Sequence, residues 1–207
     1  MYLQLQYNTF GNYYGIATLV PTLVSFFCAF YFDNKSCLSI AITGLTAYIG
    51  LTINPRAILD NAIYENPNLS YSAIGLGIVF ILWTIYSNKI NLKKHFNFIF
   101  LTFALHLISI AIIANLFKEY WFVFELILAL SATYFYFKSI QTKALSLFFF
   151  VLIYAYIGFN VLLFKAIDLL SFFIASEFYI VSAPVYFVGS IVMFTKLIQN
   201  FNKEVKE

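Results

Sequence analysis

Long apolar runs, interrupted only by short clusters of charged residues, are the feature of this sequence that most limits its fold. Only 10% of the 207 residues are charged and 62% are apolar, whereas soluble domains carry about 25% charged and about 45 to 50% apolar residues. A chain of this size has too few charges to cover the surface of a water-soluble globule. The predicted fold is therefore all-α: a polytopic transmembrane helix bundle that forms a single integral membrane domain over residues 1–207.

Seven membrane spans result when the sequence is divided at its charged clusters, because charges are costly in hydrocarbon and mark the connections. The runs have the length of about 17 to 25 residues that an α-helix needs to cross a bilayer. The predicted spans are 14–32, 37–53, 71–87, 96–117, 120–137, 144–164 and 177–199. Asn54 is suited to cap a helix that begins at Pro55, so a helix lying in the membrane interface is predicted over about 55–64.

The positive charges predict how the chain is oriented in the membrane. With seven spans, nine lysines fall on the side of the C-terminus: Lys35, Lys89, Lys93, Lys94, Lys138, Lys143, Lys196, Lys203 and Lys206. The opposite side holds only Arg56, Lys118 and Lys165. Short loops rich in Lys and Arg stay in the cytoplasm, so the N-terminus is expected outside and the C-terminus in the cytoplasm of a bacterial inner membrane.

Small residues on the second span predict a surface for close helix packing. They are Ser39, Thr43, Gly44, Ala47 and Gly50. Small side chains let two helix backbones approach each other inside a membrane, where van der Waals contact replaces the hydrophobic effect as the driving force. This stripe is therefore expected to contact another helix.

A few polar residues inside the spans are candidates for a functional site, because intramembrane ionisable groups are costly. Glu125 lies about 7 to 8 Å from the outer end of the fifth span, and Asn160, Lys165 and Glu177 are placed in the same half of the membrane. One interpretation is a proton- or cation-responsive site in which Lys165 pairs with a carboxylate. The alternative is a packing clamp between helices, or a carboxylate that reaches the outer interface.

His106, near the middle of the fourth span, is either a proton relay or a neutral side chain bonded to a neighbouring helix. The chain has two His and two Cys in separate segments, so no metal site and no cofactor are predicted. Motifs of metalloproteases, serine hydrolases and phosphate-binding loops are not found in the sequence, and no enzymatic activity is expected. The net charge of +3 is scattered between apolar runs, which argues against nucleic-acid binding.

Several short motifs resemble a known family. They are Tyr13-Tyr14-Gly15, Tyr31-Phe32-Asp33-Asn34 followed by Leu38-Ser39, Asn54-Pro55 after Gly50, and Lys93-Lys94-His95-Phe96. Over most of its length the chain resembles the membrane portion of domain of unknown function 2157, an uncharacterised bacterial membrane-protein family, in its Bacteroidetes form. Members usually carry a soluble helical part and further spans, so the resemblance implies a shortened member or a fragment. It implies no activity, and no functional residue is carried over from it.

Two functional hypotheses follow from these patterns. The first is a non-enzymatic membrane component or scaffold whose partners are the lipid bilayer and either another membrane protein or further copies of the chain. The alternative is a small-solute or proton-coupled transporter that uses Glu125, Glu177, Lys165 and His106. An intramembrane enzyme ranks third, because no pair of catalytic groups is found at matching depths.

Overall fold

The computed structural model describes residues 15–53, 67–170 and 176–204, with side chains up to residue 168 and again from Pro184. In chain order the helices are α1 (Ile16–Tyr31), α2 (Lys35–Ile53), α3 (Pro67–Ile90), a 3₁₀ turn (Lys94–Phe96), α4 (Asn97–Ile113), α5 (Trp121–Gln141), α6 (Leu145–Leu170) and α7 (Ser176–Glu204). These described residues contain no strand. The prediction of an all-α fold is confirmed for them.

Among the described residues, five helical segments are long and apolar enough to cross a membrane: α2, α3, the 3₁₀ turn together with α4, α5, and α6 up to Asp168. They overlap the second to sixth predicted spans and indicate a membrane location. Helix α1 has 16 residues and extends about 24 Å, less than the roughly 30 Å of hydrocarbon in a bilayer. Helix α7 is not among the five. The interfacial helix predicted over 55–64 lies outside the described residues, and the count of seven spans stays a prediction.

The chain divides into two compact units, residues 1–115 and 116–207. In unit 1, α1 packs along α2 and α3 packs along α4, while α2 also contacts α3 and α4. In unit 2, α5 packs along α6, and α6 contacts α7. The tightest pairings are therefore between helices joined by short turns, as expected of antiparallel helical hairpins.

A glycine lies in the contact surface of each of the three hairpins. If each glycine carried a Cβ atom, that atom would overlap a side chain on the facing helix. The pairs are Gly44 with Thr22 between α1 and α2, Gly77 with Ile108 between α3 and α4, and Gly158 with Leu128 between α5 and α6. Because lipid supplies no hydrophobic force between helices, such close backbone approach is what allows them to associate.

The outer surface of the helices is apolar, which is the reverse of the pattern in a soluble protein. Phe27, Leu126 and Phe187 are each about 60% exposed or more. Many Ser and Thr hydroxyl groups on the helices bond to the backbone of their own helix: the Thr84 hydroxyl, for example, donates to the Phe80 carbonyl at 2.9 Å. This bonding satisfies the hydroxyl without water, so both the surface and the polar groups fit a lipid environment.

Candidate functional site

A groove between α1 and α2 collects small and hydroxyl-bearing side chains, and we call it the α1–α2 groove. It has a volume of about 490 Å³. Its walls include Ala17, Thr18, Ser25, Ser39, Thr43 and Ala47. The groove is open on one side, so the described part of unit 1 presents a concave strip without bulky side chains, apart from Ile40 and Pro21.

The base of this groove is formed at a close approach of the two helices. Gly44 faces Thr22, whose hydroxyl donates to the Thr18 carbonyl at 2.6 Å and whose side chain is only 3% exposed. The Thr43 hydroxyl donates to the Ser39 carbonyl at 2.9 Å. Each hydroxyl thus uses its hydrogen within its own helix and keeps oxygen lone pairs that can accept a hydrogen bond from another helix.

The structure places the five residues of the predicted packing stripe in two environments. Ser39, Thr43, Gly44 and Ala47 line the α1–α2 groove. Gly50 lies beyond it, where an added Cβ would meet Leu69 on α3 at 3.8 Å, an ordinary van der Waals distance. The close approach in the stripe is therefore concentrated at Gly44.

His106 lines a second cavity, of about 500 Å³, between α2, α3 and α4. The imidazole is half-buried, and most of the surrounding wall is apolar, with Phe103 and Ala111 among the lining residues and the Ser70 hydroxyl at the edge of α3. Thr43 and Ala47 of α2 line both this cavity and the α1–α2 groove. Within the described residues no three His, Cys, Asp or Glu side chains lie close enough to hold a metal ion.

Glu125 lies in the contact between α5 and α6. Its Oε1 atom is 2.8 Å from the position that a Cβ on Gly158 would occupy. Its Oε2 atom is buried and has no hydrogen-bond partner among the described residues. Glu125 is thus partly buried in this contact, and the absence of a side chain on Gly158 leaves room for its Oε1 atom.

The other members of the predicted polar cluster have different partners. The Lys165 ammonium lies 5.9 Å from the centre of the Trp121 ring, which is a cation–π distance. The Asn160 amide nitrogen donates to the Tyr156 carbonyl at 2.7 Å, and its amide oxygen accepts from the Tyr186 hydroxyl at 3.1 Å. The Glu177 side chain lies outside the described part of the chain.

Tyrosines that the sequence analysis did not single out connect α6 to α7. The Tyr156 hydroxyl donates to the Ser190 Oγ atom at 3.4 Å, and the Tyr156 and Tyr186 rings are stacked with centroids 6.3 Å apart. Tyr156 and Asn160 are four residues apart on α6, as are Tyr186 and Ser190 on α7. That spacing places each pair on one helix face and is the signal by which the contact could have been predicted.

An ion-pair cluster links the turn after α1 to the turn after α3. The Lys93 ammonium donates to Asp33 Oδ1 at 2.6 Å, and His95 Nε2 lies 3.0 Å from the same oxygen. The hydrogen bond from Lys93, aided by the charge of His95, lowers the pKa of Asp33. A carboxyl whose pKa is lowered by folding stabilises the fold above its ordinary pKa and loses that contribution as the pH falls through the lowered value.

Comparison with known proteins adds no relative: no family model, no curated protein and no solved structure matches the chain. The resemblance to domain of unknown function 2157 therefore stays a prediction without further support.

Proposed function

We propose that the chain is a seven-span, multi-pass protein of a bacterial inner membrane that acts as a non-enzymatic scaffold by binding a transmembrane helix of another membrane protein. The observation that carries this proposal is the α1–α2 groove, a concave strip of small and hydroxyl-bearing residues on a surface that is otherwise bulky and apolar. Small residues permit backbone approach, and hydroxyl oxygens accept hydrogen bonds across helices.

The residue types that line the groove favour a helix over a lipid chain as its occupant. Its walls are largely Ala, Ser, Thr and Gly, the residue types that are enriched where membrane helices pack. An acyl chain would gain more from the branched side chains that cover the rest of the described surface, since dispersion contacts grow with the number of neighbouring atoms. The proposed partner is therefore a helix with small residues on its contacting face.

Filling the groove is expected to abolish partner binding. Thr43→Leu combined with Ala47→Leu places two large side chains where the partner helix would lie, and overpacking of a close contact typically costs about 1 to 3 kcal/mol. We expect a protein that co-purifies with the wild-type chain from mild detergent to be lost from the double variant. The measurement is affinity purification of tagged chain followed by mass spectrometry.

Thr133→Leu is the matched control for this experiment. Thr133 is also exposed on a helix and also donates its hydroxyl to the carbonyl four residues before it, that of Ala129 at 2.8 Å, but it lies on α5. The control should keep the partner. If the partner still co-purifies with the double variant, binding in the groove is refuted. If only further copies of the chain are recovered with the wild-type protein, the groove binds another copy of the chain and not a different protein.

A second candidate function, proton-coupled transport of a small solute, is favoured by Glu125. A carboxyl inside a membrane helix marks a functional site by default, and the Oε2 atom of Glu125 is buried without a partner in the described part of the chain. Of the other residues in the predicted polar cluster, Lys165 contacts Trp121 and Asn160 contacts Tyr186. Among the described side chains of unit 2, this candidate therefore depends on Glu125.

If Glu125 carries protons, its replacement removes proton flux. Glu125→Gln keeps the shape of the side chain but cannot exchange a proton, so proton uptake driven by a potassium diffusion potential should fall to the level of protein-free liposomes. An entrapped pH-sensitive dye measures the flux. Glu119→Gln, a change in the exposed turn before α5, should leave it unchanged. Equal flux in the wild-type protein and Glu125→Gln would eliminate this function.

A further inference from the structure

Positive charge is concentrated at the end of unit 1 that carries the turns after α1 and α3. Four lysines lie there, Lys35, Lys89, Lys93 and Lys94, together with one carboxylate, Asp33. We call these five residues the basic end. Asp33 pairs with Lys93 and also contacts His95, whereas Lys35, Lys89 and Lys94 are exposed and form no ion pair within the described residues. Three lysines are therefore available to an external anion.

The two turns next to these lysines are joined by the Asp33–Lys93 ion pair and by a ring contact, and one of them is also braced by local hydrogen bonds. The Phe30 ring lies edge-on to the Phe96 ring at 5.5 Å, and Phe96 is buried. The Asn34 side chain accepts hydrogen bonds from the backbone of Ser36 and Cys37 at the start of α2. The lysines therefore project from a braced surface, and less conformational freedom is lost when they bind a ligand.

Exposed aromatic side chains border the same end. Tyr31 is 71% exposed, Phe32 is 68% exposed and Tyr86 is 54% exposed, and the Trp83 ring lies 6.0 Å from that of Tyr86. Amphipathic aromatic rings collect at the level of lipid headgroups. Aromatic residues next to unpaired lysines indicate a ligand with an anionic head and an apolar tail, rather than an anion dissolved in water.

We propose that the basic end binds anionic phospholipid headgroups. The negative surface of a membrane attracts each nearby lysine with an energy equivalent to about a fivefold gain in affinity, and the helix N-terminus of α2 at this end adds a favourable dipole for an anion. Lys35, Lys89 and Lys94 contact the lipid phosphates, while Lys93 remains paired with Asp33. The inference requires that the helices span a membrane, but it is independent of partner binding in the α1–α2 groove.

Fluorescence of Trp83 provides a direct test, because the chain has two tryptophans and a Trp121→Phe variant leaves only Trp83, which borders the basic end. The full-length variant is reconstituted in vesicles that contain brominated phosphatidylglycerol or brominated phosphatidylcholine, since bromine quenches a nearby indole. We expect stronger quenching by the anionic lipid at equal mole fraction. Equal quenching by the two lipids would overturn the proposal.

Charge-neutral variants show whether the three lysines cause this preference. The triple change Lys35→Gln, Lys89→Gln and Lys94→Gln should abolish it, and Lys94→Gln alone should reduce it by about fivefold. The control pair Lys138→Gln and Lys203→Gln, in unit 2, should retain it. A preference that survives the triple change, or that is lost equally in the control, would contradict the assignment.

Inorganic phosphate distinguishes a lipid headgroup from a dissolved anion. Added phosphate should reduce the quenching no more than sodium chloride of the same ionic strength, because both act only by screening. Specific displacement by phosphate would show that the basic end binds a soluble anion, which would overturn the lipid assignment. Variants of Thr43 and Ala47 keep all three lysines, so a failure of the scaffold proposal would leave this result unaffected.

Discussion

A phosphatase reporter that folds only outside the cytoplasm will be active when fused after Glu65 and inactive when fused after Asn91 or Glu207. The difference is all-or-none, because the reporter either crosses the membrane or does not. The physical reason is the distribution of lysines, nine on one side of the proposed topology and three basic residues on the other, since basic short loops are retained in the cytoplasm. A cytoplasmic reporter fused at the same positions should give the opposite pattern.

A contact in unit 1 provides an internal control for this experiment. The ion pair between Asp33 and Lys93 holds the turns after α1 and α3 at the same end of the unit, so fusions after Asn34 and Asn91 must report the same side whatever the orientation. Opposite signals from these two sites would contradict the structure of unit 1. Matching signals with activity after Asn91 would instead reverse the predicted orientation.

Gly44→Ala will destabilise the protein, whereas Gly75→Ala will not. A Cβ on Gly44 overlaps the Thr22 hydroxyl and lies 3.3 Å from the Thr22 Cβ atom, and Thr22 is a short side chain that is only 3% exposed. Overpacking of this kind costs about 1 to 3 kcal/mol. We expect the free energy of unfolding, measured by titration with a denaturing detergent, to fall by that amount.

Gly75 is the matched control because it also lies inside an apolar helix but has no atom within 4 Å of an added Cβ. Its change to Ala should alter the free energy of unfolding by no more than about 0.5 kcal/mol. Equal effects at the two positions would show that helix propensity, and not the contact with Thr22, determines the outcome. Gly44→Val should be worse than Gly44→Ala, since its larger side chain increases the overlap.

Helix positions were the part of the fold that could be predicted from sequence, because the cost of burying charge in lipid limits where a helix can begin and end. The third span, predicted over 71–87, is observed as α3 over Pro67–Ile90, and the fifth, predicted over 120–137, as α5 over Trp121–Gln141. Several helices extend past the predicted limits. Polar residues such as Lys89 and Lys138 continue the helix into the interface, where backbone hydrogen bonds remain favourable.

The candidate site shows where sequence reasoning stops. The depth of Glu125 and Lys165 along their helices was estimated from residue numbers, and similar depth placed both in one predicted polar cluster. In the structure, Lys165 lies near the Trp121 ring and Glu125 lies against Gly158. Depth follows from the rise of 1.5 Å per residue, but the direction of a side chain depends on how each helix is rotated about its axis. A helix that is apolar on all sides carries no sequence pattern that determines this rotation.

Composition and the spacing of charges were enough to determine that the chain forms apolar helices with a membrane location, because the free energy of placing a charge in hydrocarbon exceeds any local preference of the backbone. Only the tertiary structure decided which residues meet. The contact of Gly44 with Thr22, the bond from Tyr186 to Asn160 and the ion pair of Asp33 with Lys93 all join residues more than twenty positions apart. Such contacts depend on how side chains pack across a pair of helices. Many small dispersion energies together select the rotation of each helix about its axis, and this sum cannot be read from a single sequence.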